Sequence, residues 1–258
     1  MSILFVVVLF LIGFVGSFLS GMLGIGGSII KYPMLLFIPQ LFGLAAFSAH
    51  EVSGISAVQV LFATIGGVWA FRKGNFLNYR LIMYMGISIL IGSLIGGFSS
   101  SSMSEDTINI VYGFLALAAV IMMFVPTKGT DDQPLESVRF NGPLAAVFAL
   151  VVGIGSGIVG AAGAFLLVPI MLVILKIPTR MTIASSLAIT FISSIGATFS
   201  KVATGQVEYV PAGIMIVASL IAAPLGVQFG KRIEPKYLKA LLTILILGTT
   251  IKIWLDIF

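Results

Sequence analysis

The sequence predicts an all-α polytopic membrane protein of two inverted-topology repeats, with about eight to ten transmembrane or re-entrant helical segments. Three observations predict it. Of 258 residues, 59% are hydrophobic and only 9% charged, against about 25% charged in an average soluble domain. A soluble core of this size has no use for so much apolar surface, so the excess faces lipid. The chain divides into ten apolar segments close to the length a bilayer requires. A glycine pattern in the first half returns in the second, while the lysines and arginines gather in alternate loops.

The segments run, in order, over roughly 2–20, 24–43, 52–71, 79–98, 108–125, 142–156, 160–176, 183–200, 209–229 and 238–256. A membrane helix needs about 20 mostly apolar residues, so 142–156 and 160–176 are the weakest. The opening MSILFVVVLFLIGFVG has no basic leader and no small-residue cleavage site. It predicts a retained first helix and not a signal peptide. The one sizeable polar stretch, 126–141, contains PTKGTDDQPLESVRFN. Its prolines, glycine and acids bury no apolar area, which predicts a solvated cytoplasmic connector. It separates a first transmembrane repeat, 1–125, from a second, 142–258.

The halves resemble each other. Gly21, Gly24, Gly27 and Pro33 recur 136 residues later as Gly157, Gly160, Gly163 and Pro169. Ala197 to Gly205 follows Gly66 to Gly74 at an offset of 131, with Gly205-Gln206 matching Gly74-Asn75. Such regularity indicates an internal duplication. Arg72, Lys73 and Arg80 share one loop, Lys128 and Arg139 the connector, Lys176 and Arg180 a third loop, and Lys231, Arg232, Lys236 and Lys239 a fourth. If the segments cross or re-enter in order, all four fall on one side. The loops at 44–51 and 99–107, without lysine or arginine, fall on the other. The positive-inside rule puts the basic loops in the cytoplasm and both termini on the non-cytoplasmic side. The loop at 72–80 is then inside and its counterpart near 201–208 outside, so the halves have opposite topology, as in many secondary transporters.

Composition also excludes function classes. The chain has no cysteine and one histidine, His50. Disulfides, thiolate metal sites, cysteine nucleophiles and multi-histidine metal sites are ruled out with them. No cofactor is implied. The formal charge of +5 is explained by the basic loops, and no basic stripe with interleaved aromatics predicts nucleic-acid binding. The expected partners are the lipid bilayer and a small anion. Nothing in the sequence sets an oligomeric state.

The anion follows from the glycine breaks. Ser20-Gly21-Met22-Leu23-Gly24-Ile25-Gly26-Gly27-Ser28 and Gly155-Ser156-Gly157-Ile158-Val159-Gly160-Ala161-Ala162-Gly163 each interrupt an apolar run. Glycine lowers helix stability by about 1 kcal/mol relative to alanine, and a helix ending inside a membrane leaves up to four N–H groups that lipid does not satisfy. A bound anion would accept those N–H groups at the positive end of the helix dipole. Two such breaks meeting near the pseudo-twofold axis predict one central site, to which Ser20, Ser28 and Ser156 add hydroxyls. The plainer reading is that these glycines let helices pack closely. Neither stretch fits a dinucleotide fingerprint or a P-loop.

The Gly-x-x-Gly-x-Gly-Gly…Pro element resembles that of the TauE/SafE (TSUP) family. So do Ala184-Ser185-Ser186-Leu187, Ser193-Ser194-Ile195-Gly196-Ala197 and Gly205-Gln206-Val207. The resemblance covers both halves. It implies a secondary transporter of the cytoplasmic membrane that moves sulfite, sulfonates such as sulfoacetate, or related sulfur-containing anions. In the first half Ser53-Gly54-Ile55-Ser56 replaces the small-Ser-Ser-Leu form.

Further candidates stand beside the breaks. Ser186, Thr190 and Ser193 fall at i, i+4 and i+7 and share a helix face, with Gln59 a polar member of the first-half counterpart. They line a pathway, or they bond their own backbone and cross-link helices. Lys31 lies within the second apolar segment, where a cation is expensive and function is the default; it attracts an anion or snorkels to an interface. Lys201, near a helix end, is expected at an interface. His50-Glu51, at the outer start of the third segment, either takes part in proton coupling or caps the helix. No carboxylate falls at the centre of a span. Two other classes remain: a channel or non-transporting membrane interaction protein, and an intramembrane enzyme. For the enzyme, Gly153-Ile154-Gly155-Ser156-Gly157 is a poor nucleophile motif and the lone histidine a poor base.

Overall fold

The computed structural model describes residues 2–24, 28–71, 77–125, 138, 140–161 and 163–257. The helices are α1 (Ile3–Leu23), α2 (Ser28–Leu41), α3 (Ala49–Phe71), α4 (Tyr79–Ser99, extended by a 3₁₀ turn, Ser100–Ser102), α5 (Glu105–Phe124), α6 (Gly142–Val159), α7 (Ala164–Pro169, continued by a π-helical segment, Ile170–Ile174), α8 (Thr179–Ala203), α9 (Tyr209–Gly230) and α10 (Pro235–Ile257). No strand occurs among the described residues. Among the described residues, seven helices, α1, α3, α4, α5, α6, α8 and α9, are long and apolar enough to span a bilayer. Most of the expected connector, 126–137 and 139, lies outside the described residues.

Each predicted segment is a helix, and local chemistry sets the ends. Asn78, Ser104 and Asn141 cap α4, α5 and α6 by accepting a backbone N–H three residues on. Ser48 and Glu51 form a reciprocal capping box at the start of α3: Ser48 N donates to Glu51 Oε2 at 2.7 Å, and Glu51 N to Ser48 Oγ at 3.2 Å. α1 stops at Gly24 (φ 73°) and α6 at Gly160 (φ 72°), both in the left-handed region that glycine enters without a Cβ penalty. The predicted 160–176 contracts to 164–174. Gly163 is also left-handed, and Pro169, lacking an N–H, is followed by the π-helical turns.

Close approaches at glycine fix the packing. Gly13 faces Met215 and Ala218, and Gly21 faces Ala223 and Val227, so α1 and α9 lie parallel. α3 joins them in the same direction through Gln59 to Ser219 and Gly66 against Pro224. On the other side, Gly92 and Gly96 meet Leu150 and Ile154, and Gly157 meets Ser93 and Gly97, so α4 and α6 are parallel. Gly86 against Ile192 and Gly97 against Ser200 align α8 with them. The two triads, α1/α3/α9 and α4/α6/α8, meet where α3 crosses α8. Thr198 Oγ1 donates to Ala57 O at 3.0 Å, while Gly67 packs on Leu187, so this pair is antiparallel. α5 packs against α10, α2 against α10, and α7 against α5. Exchanging α1–α5 for α6–α10 leaves these pairings unchanged.

The bundle wears its apolar residues outward as well as inward. Ile87, Ile91, Ile95 and Phe98 of α4, and Val217, Leu220, Ile221 and Leu225 of α9, are exposed. On a soluble protein such stripes would drive aggregation; on this one they are the lipid face.

Candidate functional site

The first glycine break packs against the start of α8. Ser186 Oγ donates to Gly24 O at 2.7 Å, and a Cβ on Gly24 would stand 2.7 Å from Ile183 Cα. The second packs against the start of α3, where a Cβ on Gly160 would stand 2.8 Å from Ser53 Cα. Beside it, Lys201 of α8 donates to Ile158 O at 3.0 Å. Ser186 and Lys201 are fifteen residues apart on one helix, which puts the breaks about 22 Å apart at 1.5 Å per residue. The expected meeting of the two breaks therefore does not occur. They sit at opposite ends of the α3–α8 pair, because α3 and α8 cross between them.

The site residues expected from sequence thus separate into groups. Gly21 and Gly157 are packing glycines, with backbone of α9 and of α4 where a Cβ would go. Ser20 is buried, and its carbonyl accepts from Gly24 N at 2.8 Å. Ser156 Oγ donates to Gly153 O at 3.1 Å, and Ala161 N to Ser156 O at 2.9 Å, closing the end of α6. Gly163 begins the turn into α7, and Ser28 opens α2. Gly26, Gly27 and Ala162 lie outside the described residues. Glu51 is engaged in the capping box. His50 sits at the same end, its Nδ1 3.2 Å from Gln206 Oε1 and its Nε2 3.1 Å from Met103 O.

Between the breaks, at the level where α3 crosses α8, lie Thr190 and Ser193. Both are buried, and their hydroxyls have no hydrogen-bond partner among the described residues; Ser56 of α3 shares this condition. A buried hydroxyl without a partner costs about 1–3 kcal/mol, and two of these three occur near mid-depth.

Close to the same depth is a polar cluster on the α1/α3/α9 side. Lys31, 0% exposed, reaches from α2 to donate to Gln59 Oε1. Gln59 Nε2 donates to Ser17 Oγ of α1 at 2.6 Å and to Ser219 Oγ of α9. Ser17 Oγ donates to Ser219 Oγ at 3.0 Å. Tyr32 anchors α2 on its other side, stacking on Tyr112 at 4.7 Å and donating to Asn109 Oδ1 at 2.9 Å. Lys31 is therefore not a snorkelling residue.

Lys201 overturns its expectation too. It is fully buried, and its ammonium donates to Ser100 Oγ at 2.7 Å, Gln206 Oε1 at 2.8 Å and Ile158 O at 3.0 Å. All three N–H donors are used, and together they bind the ends of α4, α6 and α8. Sequence reasoning passed over Ser17 and Ser219. The available signal was a hydroxyl among small residues on each helix, Gly16-Ser17 and Ala218-Ser219.

The chain matches the family described as Sulfite exporter TauE/SafE over residues 9–253. A "Probable membrane transporter protein" of Bacillus subtilis (strain 168) is 22% identical to it, over 93% of this chain and 94% of its own. A second of that name, from Methanocaldococcus jannaschii, is 25% identical over 91% and 90%. A third, from Xylella fastidiosa (strain 9a5c), is 24% identical over 85% and 82%. No solved structure matches the chain significantly.

Proposed function

The chain belongs to the sulfite exporter TauE/SafE family, and from that premise we propose that it exports a small sulfur-containing anion, such as sulfite or sulfoacetate, as a secondary transporter. That it is a membrane transporter and not an enzyme follows from the family and its relatives.

One observation carries the mechanism. Two triads of parallel helices run in opposite directions, meet at the α3–α8 crossing, and are each closed by a glycine break at opposite ends. This supports two inverted repeats, 1–125 and 142–258, joined by a cytoplasmic connector. It also supports alternating access. A site at mid-depth lies between the breaks, and loosening one end while the other stays packed opens it to one side at a time. Because α4 and α9 have exchanged partners, the bodies that move are the triads and not the sequence halves. Arg180 reaches Lys231 O at 3.1 Å, and Asn78 N reaches Ser185 Oγ at 3.1 Å. The start of α4 with Arg80, the start of α8 with Arg180 and the turn after α9 with Lys231 and Arg232 thus lie at the Gly24 end, which the positive-inside rule makes cytoplasmic. Both termini then lie outside.

The test is flux in proteoliposomes. Purified protein should give saturable efflux of sulfite or sulfoacetate, with counterflow driven by unlabelled substrate. Flux linear in concentration without counterflow would mean a channel, and no flux of any sulfur anion would end the reading.

A further inference from the structure

The cluster around Lys31 has more donors than acceptors and, among the described residues, no carboxylate partner for its lysine. An ammonium carries three N–H donors, and among the described residues only Gln59 Oε1 accepts from Lys31. The amide N–H groups of Gln59 already go to Ser17 and Ser219. α1, α2 and α9 contain no aspartate or glutamate, and α3 contains only Glu51. Glu51 lies eight residues from Gln59, about 12 Å along the helix, and its carboxylate is held by Ser48. Room for the lysine is built in: a Cβ on Gly16 would fall 2.6 Å from Lys31 Cδ. A buried ammonium is tolerated when a counter-charge and hydrogen bonds meet it, and at mid-membrane it marks a substrate path. Lys201 is the internal contrast, since its three donors all find acceptors.

Resting on the transport reading above, we propose that Lys31, with Gln59, is the charge partner of the transported anion, and that the site takes one negative charge. The second sequence half offers no matching cation, because the residue 136 positions beyond Lys31 is Leu167. The ligand is a singly charged oxyanion whose oxygens accept the free N–H groups of Lys31. Hydrogensulfite and monosulfonates fit, which narrows the substrates proposed above to the sulfite arm; sulfate and the dianion sulfoacetate bring a second charge that nothing at the cluster neutralises.

Thermal unfolding of the intact protein in detergent tests this, with methanesulfonate and sulfate as probes at equal ionic strength. The two share a tetrahedral sulfur with oxygens and differ by one charge. Methanesulfonate should stabilise the wild type saturably, and sulfate should bind at least tenfold more weakly. Lys31→Met should abolish the methanesulfonate response without lowering the unliganded melting temperature, because it removes an unpaired charge; Gly16→Ala, which displaces the lysine stem, should weaken the response. Equal responses to both anions would overturn the charge assignment. An undiminished response, or undiminished sulfite efflux, in Lys31→Met would overturn the site and leave transport standing. Should Lys31→Met not fold, the wild-type comparison of the two anions and the Gly16→Ala titration decide alone. A wild type that neither binds nor moves any anion would sink both readings.

Discussion

Replacing Gly160 by alanine separates two costs that the glycine breaks combine. The first is conformational. Gly160 has φ 72°, and an L-residue there loses about 1–2 kcal/mol. The second is steric. The new Cβ would stand 2.6 Å from Ser53 C and 2.8 Å from Ser53 Cα, and overpacking of this kind costs about 1–3 kcal/mol. Gly205 supplies the control: its φ is 70°, yet nothing lies within 4 Å of a Cβ built there. Gly205→Ala should therefore lose about 1–2 kcal/mol, and Gly160→Ala about 2–5 kcal/mol. The assay is denaturant unfolding in mixed micelles, followed by helical circular dichroism, with both variants beside the wild type. A Gly160→Ala protein as stable as Gly205→Ala would refute the close packing of the break on α3. Sulfite efflux measured on the same proteins should fall for Gly160→Ala and hold for Gly205→Ala.

Three further outcomes are expected. Lys201→Met should lower stability by at least about 2 kcal/mol, because Ser100, Ile158 and Gln206 lose a charged donor, the opposite of the Lys31→Met result in the same melting assay. Ser186→Ala removes the hydroxyl from Gly24 O and should cost about 1 kcal/mol, read as a lower denaturation midpoint at unchanged slope. Glu51→Gln retains an acceptor for the capping box; proteoliposome efflux, with and without an imposed proton gradient, should match the wild type, and an altered response to the gradient would return Glu51 to a coupling role.

Most of the fold was legible because lipid enforces it. Ten apolar runs became the helices, and caps such as Asn78, Ser104 and Asn141 stand where the runs begin. The shortened 164–174 was the least legible, since a left-handed glycine at 163 and a π-helical continuation after Pro169 depend on what packs around them. The candidate site was legible only in parts. Gln59 and Lys31 were named separately, one as pathway-lining and the other as electrostatic, and no spacing reveals that they touch. The glycine breaks were found, but periodicity along a chain does not say which helices cross between two motifs. The burial of Lys201 was hidden for the same reason: its acceptors come from Ser100 and Ile158, 101 and 43 residues away.

The exchange of α4 and α9 between triads bears on how the chain is made. α4 finds its main partners in α6 and α8, not in the helices synthesised before it, and α1 waits for α9. A ribosome delivering these segments in order leaves the glycine face of α4 against lipid until α6 has emerged. Neither half is thus a self-sufficient folding unit, and a gene cut within the connector should give two fragments that are degraded singly and accumulate when expressed together. On the inverted-repeat reading proposed above, an ancestor encoding a single half would have been viable only as a pair of oppositely inserted copies, each lending the other a helix.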